Sequence, residues 1–218
     1  MDVQLSEIEV RVLGALLEKE TTTPDYYPLS LNALINACNQ KSNREPVMNL
    51  DENAVREALD SLNAKGLAGP MSSAESRVTK YTHRLQETFN FDRRETAVLC
   101  VLFLRGPQTP GELRVRTERM YGFDDLAAVE STLHRLMERE PPLVKKLPRA
   151  PGTKESRYVH LLAGDVATWD AGGESIPASG TAGPDDERIA RLENEVAALQ
   201  KEVADLRQQL ADFRKQFE

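Results

Sequence analysis

Three segments of this chain recur in the same order further along it. "EVRVLGALLEK" (residues 9–19) resembles "ETAVLCVLFLR" (95–105), "AVREALDSL" (54–62) resembles "AVESTLHRL" (128–136), and "KYTHRL" (80–85) resembles "RYVHLL" (157–162). A repeat at roughly 75 to 85 residues means that one supersecondary unit is used twice, so the fold of the first copy is also that of the second. The 218 residues, 40% hydrophobic and 29% charged, suffice to bury one or two modest cores.

Each copy reads as three helices and a hairpin. Ser6 precedes Ile8, Val12, Leu13, Leu16 and Leu17, apolar at three- and four-residue steps, which predicts a capped helix to about Glu20. Ser30 caps a second helix that ends near Asn39. Asp51 or Asn53 starts a third, with Val55, Leu59 and Leu62 on one face and Gly66 as its stop. Residues 67–71 and 77–85 then read as the strands of a hairpin. The second copy predicts helices at 93–105, 110–121 and 124–138 and strands at 143–147 and 156–162. Three helices followed by a hairpin is the order of a winged helix, so the expected class is mainly α with small β-hairpins (α+β), as tandem winged-helix modules over residues 1–85 and 86–163.

Composition shifts after that. Residues 164–184, "GDVATWDAGGESIPASGTAGP", are rich in Gly, Ala, Ser and Pro and predict a flexible linker. Over 185–218, Ile189, Leu192, Val196, Leu199, Val203, Leu206, Leu210, Phe213 and Phe217 recur at alternating three- and four-residue steps. With Ile189, Val196 and Val203 at a and Leu192, Leu199 and Leu206 at d, the pattern predicts a C-terminal coiled-coil helix and a parallel homodimer, with a packing helix within one chain as the alternative.

The first copy also carries a recognisable signature. "VLGALLEKE" (12–20), "TTPDYYPLSLNALINACNQKSNREPV" (22–47) and "AVREALDSLNAKGL" (54–67) are similar to the signature of the YceH family of bacterial proteins, and the resemblance spans residues 5–162. It implies tandem winged helices. It carries over no catalytic residue and no established biochemical function.

Charge tests what such a fold would bind. Winged helices commonly lay the third helix in the major groove, and phosphate contact needs Lys and Arg. The chain has 28 Lys and Arg against 35 Asp and Glu, a formal charge of −7. Both third helices are acidic: Asp51, Glu52, Glu57 and Asp60 in the first, Asp124, Asp125, Glu130 and Glu138 in the second. Positive charge gathers instead on the second copy, in Arg114, Arg116 and Arg119 and in Lys145, Lys146, Arg149, Lys154 and Arg157. A solvated basic face, a phosphate-contacting wing and a surface for an acidic protein all fit. The polar run "ACNQKSNREPV" (37–47) joins the second and third helices of the first copy. Lys41, Asn43 and Arg44 there could contact DNA, or the run could be a structural turn bonded to Tyr26 or Tyr27.

Enzymology has little support. His83, His134 and His160 are isolated, Cys38 and Cys100 lack the paired spacing of a zinc or redox site, and no Gly-rich phosphate loop or nucleophile elbow is present. We therefore expect no catalysis and no cofactor or metal. The longest apolar run, 97–104, is too short to span a bilayer, and the N-terminus lacks a signal core, so a cytoplasmic protein is expected. The expected role is a non-enzymatic, DNA-binding transcriptional regulator, with Arg114, Arg116, Arg119, Lys145, Lys146, Arg149 and Arg157 on phosphates. The alternative is a protein–protein adaptor that uses its acidic third helices.

Overall fold

Side-chain caps start the helices where the sequence signals them. In the computed structural model, which describes residues 4–71, 78–149 and 155–164, the first half holds helix α1 (Glu7–Thr22), strand β1 (Leu29–Ser30), helices α2 (Leu31–Cys38) and α3 (Glu52–Ala64), and strands β2 (Ala68–Met71) and β3 (Lys80–His83). A short helix α4 (Leu85–Phe89) leads into the second half, with helices α5 (Arg93–Arg105), α6 (Pro110–Thr117) and α7 (Leu126–Glu138) and strands β4 (Val144–Lys146) and β5 (Tyr158–His160). The protein is mainly helical with small antiparallel sheets, an α+β fold. No helix among the described residues is long and apolar enough to cross a membrane.

Three helices open with a capping box, in which two otherwise orphaned amides are satisfied reciprocally. On α1 the Ser6 hydroxyl accepts from the Glu9 amide at 3.2 Å, and the Glu9 carboxylate accepts from the Ser6 amide at 2.6 Å. Asp92 and Glu95 do the same on α5, and Thr109 and Glu112 on α6. The stop of α3 also forms as expected. Gly66 sits at φ 72°, its amide donates to the Asn63 carbonyl at 3.0 Å and the Leu67 amide to the Leu62 carbonyl at 2.9 Å, the paired bonds of a Schellman motif.

Sheets follow the same plan in both halves. β1, β3 and β2 form one antiparallel sheet in that order, with Leu29 opposite Tyr81 and Ala68 opposite His83. In the second half β4 pairs with β5, Val144 opposite His160, and an isolated bridge between Gln108 and Tyr158 occupies the place of β1. Sequence periodicity missed β1 and α4, which are too short to show a period. It overextended α6, which ends at Thr117 and is followed by a turn in which the Met120 and Tyr121 amides both donate to the Thr117 carbonyl, at 2.7 and 2.8 Å.

The described residues all fall within one compact unit, Met1–Trp169, and a single hydrophobic cluster runs through both halves. Its centre is the packing of α1 on α5, the two copies of the repeated helix. Gly14 and Cys100 occupy equivalent positions in the repeat and meet there, the Cys100 thiol 3.5 Å from the Gly14 carbonyl. A Cβ on Gly14 would lie 2.9 Å from Leu104 Cδ2 and 3.0 Å from Phe103 Cβ, so the absent side chain sets how closely the helices approach. Both cysteines are free and buried. The linker beyond Gly164 and the seam residues Ile189 to Phe217 lie outside the described residues.

Two expectations follow from this packing. Gly14→Val forces α1 and α5 apart, since Phe103 Cβ cannot swing away, and should destabilise the protein by about 2 kcal/mol in urea unfolding followed by circular dichroism. His160, packed edge-on to Phe103 at 5.0 Å, has a buried Nδ1 without a partner, and burial pushes its pKa down to about 4. The unfolded chain therefore takes up that proton near pH 6.5 while the folded chain does not. Stability should fall as pH drops from about 6.5 to 4, by on the order of 3 kcal/mol, and His160→Phe should remove that component from the pH profile.

Candidate functional site

The polar run 37–47 is held from beneath by two arginines. Arg44 has a fully buried side chain, 0% exposed. Its guanidinium donates to both Glu18 carboxylate oxygens, at 3.2 and 2.6 Å, to the Ala37 carbonyl at 3.0 Å and to the Asn43 carbonyl at 2.8 Å. Arg11, 1% exposed, donates to the carbonyls of Cys38 at 3.2 Å and Pro46 at 2.6 Å. The Asn39 side chain closes the loop by bonding both the amide and carbonyl of Leu50 at 2.8 Å. Burial alone would raise the pKa of Glu18, but the bonds and charge of Arg44 outweigh it and hold the carboxyl below its usual range. Burial, then the charge of Arg44, pushes Arg11 down.

This geometry corrects the expectation for Arg44. Its donors face Glu18 and the loop's own carbonyls, so it has none to offer a phosphate or a base. Asn43, although exposed, adopts φ 60° and accepts from Arg105 at the end of α5, while the Glu45 amide donates to the Leu104 carbonyl at 2.8 Å. The run thus docks the first half onto the second. Of the three candidates Lys41 and Asn43 are exposed and Arg44 is buried. Nor do the tyrosines bond this loop. Tyr27 hydroxyl pairs with Thr82 and accepts from the His83 amide, both at 2.9 Å, and Tyr26 is 77% exposed.

The basic residues of the second half divide into two groups. Arg157 donates to Glu112 at 2.7 Å and to the Pro107 carbonyl at 2.9 Å. Arg116 donates to the Gln108 side chain and lies 3.8 Å from Glu112. Burial would raise the pKa of Glu112, but the Thr109 amide and these arginines hold it below its usual range. Arg157, next to β5, therefore braces the hairpin against α6, and Arg116 ties α6 to Gln108 just before it. Arg114, Arg119, Lys146 and Arg149 are exposed, and Lys145 is half-buried. Arg114 donates to the Asp124 carbonyl at 3.1 Å, and Lys146 lies 5.8 Å over the Tyr158 ring. Val115, between two of these arginines, is 71% exposed.

Sequence reading missed Arg105. It ends α5 and, with Arg116 and Arg119, lines a pocket where the two halves meet. The arginine closing the apolar helix 93–105 was the available signal, but its significance depends on Arg116 of α6 and Arg119 just beyond it. Among the described residues no group of three His, Cys, Asp or Glu is placed to hold a metal. Burial pushes the Cys38 thiol up to about 12 and the Cys100 thiol further, so neither is a ready nucleophile.

A family model described as "Protein of unknown function, DUF480" matches residues 5–153. The chain is similar to a UPF0502 protein of Solibacter usitatus, 61% identical over 196 residues that cover 89% of this chain and 92% of the relative. It is also similar to a UPF0502 protein of Geotalea daltonii, 57% identical with 89% of each chain covered. A third relative, from Koribacter versatilis, is 58% identical over 89% of this chain and 90% of its own.

The buried pair has a measurable consequence. Glu18→Gln leaves Arg44 beside Arg11 with no countercharge and should cost about 3 kcal/mol or more in urea unfolding. The double change Glu18→Leu with Arg44→Met, which removes both charges and keeps the volume, should recover most of that loss.

Proposed function

This chain belongs to the DUF480 family of UPF0502 proteins, the family to which its YceH resemblance pointed, and on that premise we propose that it is a non-enzymatic DNA-binding protein acting in transcriptional regulation. In this reading each half is a winged helix. The order helix, short strand, helix, helix and hairpin supports it in the first half, and the Gln108–Tyr158 bridge supplies the reduced counterpart of the first strand in the second.

The exposed cations of the second half carry the proposal. Arg114, Lys146 and Arg149 present charge to solvent next to a framework that Arg116, Arg157 and Glu112 hold rigid. Contact is to the phosphate backbone rather than through a third helix in the groove. On α3 the one basic side chain, Arg56, is bound to Glu52 at 2.7 Å, which leaves Glu57 and Asp60 uncovered. Similarly on α7, Arg135 is bound to Asp92 at 2.7 Å. The proposed protein works in the cytoplasm as a homodimer through residues 189–217, which lets it meet two half-sites.

That acidic face of α3 favours a second reading, an adaptor for a basic protein partner. Salt distinguishes the two. Fluorescence anisotropy of the full-length protein on random duplex DNA should give an affinity that falls steeply with salt, each phosphate contact adding about 0.9 to the log–log slope. Changing Arg114, Lys146 and Arg149 together to Glu should flatten that slope by about 2 to 3 and weaken binding at least tenfold. Absence of binding at low salt would overturn the DNA reading and leave the adaptor.

A further inference from the structure

We propose that the pocket between the two repeats, where Arg105, Arg116 and Arg119 converge, binds the phosphate group of a small molecule. The pocket has a volume of about 40 Å³, and its walls come from both halves, with Glu18 and Asn43 from the first and the three arginines and Met120 from the second. That is more room than one water needs and suits a single tetrahedral oxyanion.

Charge gives the reason for an anion. Glu18, the carboxylate in the wall, is already engaged by Arg44 at 2.6 Å and Lys19 at 3.4 Å. Glu112, the nearest carboxylate to Arg116, is held by Arg157 at 2.7 Å against 3.8 Å to Arg116. Arg105 and Arg116 each spend a donor on a neutral amide oxygen, of Asn43 and Gln108. Arg119 is exposed and makes no hydrogen bond or ion pair with the described residues. Three arginines therefore line one pocket, and the other carboxylate that acts on Arg105, Glu45, is exposed to solvent and stands outside the lining. Burial first, and then the charge of Arg116, pushes the pKa of Arg105 down, the electrostatic cost of this arrangement. A phosphate removes that cost, and its oxygens match the forked donors of arginine. Leu104, Val101 and Met120 in the wall lower the local dielectric and strengthen each contact. Because both halves line the pocket, an occupant ties them together, and ligand binding is linked to the stability of the join.

The site is independent of the DNA reading, whose test leaves all three pocket arginines in place. The experiment is thermal unfolding of the full-length protein with increasing inorganic phosphate, against chloride at matched ionic strength. Phosphate should raise Tm saturably, by roughly 2–4 °C near ten times its dissociation constant. Arg119→Gln, which costs no internal bond, and Arg105→Gln should each weaken that response at least tenfold, while Arg149→Gln, outside the pocket, should respond as the unaltered protein does. A response without saturation, or one equal in Arg119→Gln, would overturn the proposal. So would loss of duplex DNA binding in Arg119→Gln in a protein that phosphate neither stabilises nor displaces from DNA, because the arginines would then serve the nucleic-acid backbone.

Discussion

The join between the two repeats depends on one buried carboxylate. Glu18 on α1 takes both terminal nitrogens of Arg44, Arg44 seats the loop 37–47 by its carbonyls, and that loop in turn bonds the last residues of α5. The net stabilisation from such a pair is small, because desolvating two charges offsets most of their attraction. Its effect is positional. A bidentate arginine inside a low-dielectric site has one good arrangement, so the loop has one seat and the end of α5 has one place to meet it.

The same repeated elements acquire different roles through single residues. In both halves the capping-box glutamate of the first helix also holds a base at the end of the third, Glu9 with Lys65 at 2.6 Å and Glu95 with Arg139 at 2.9 Å. This ties the start of one helix to the end of another in each copy. Position 18 breaks the equivalence. Its counterpart in the second copy is Leu104, so the buried carboxylate that absorbs an arginine in the first half has no equivalent in the second. Arg105, Arg116 and Arg119 consequently concentrate positive charge at the seam, and the basic character of the second half is sharper than its sequence, nearly balanced in charge, suggests.

Much of the fold was legible because its signals are local. Ser6, Asp92 and Thr109 each bond an amide three residues on, and Gly66 accepts the left-handed conformation that ends α3. The candidate site was less legible. Lys41, Asn43 and Arg44 sit in one polar run and look alike in sequence, yet Lys41 and Asn43 are exposed, Asn43 with a bond to the end of α5, and Arg44 is buried. Polarity records that a side chain needs a hydrogen-bond partner, not whether water or the chain's own carbonyls supply it. Arg157 shows the same limit, since its partner Glu112 lies 45 residues away in sequence. Arg105 escaped notice for the converse reason, being the lone cation at the end of an apolar helix until Arg116 on α6 and Arg119 just beyond it join it at one pocket.

The sequence by itself determined the repeat, the three main helices of each copy, and the strands of the two hairpins, because each rests on interactions spanning a few residues or on a period that one element carries alone. Only the tertiary structure decided that the two first helices would pack through Gly14 and Cys100, that Arg44 would face inward, and which arginines would be braces and which would remain uncompensated. Those outcomes depend on distances between residues far apart in the chain, where burial changes the cost of a charge and a single missing Cβ sets how closely two helices approach.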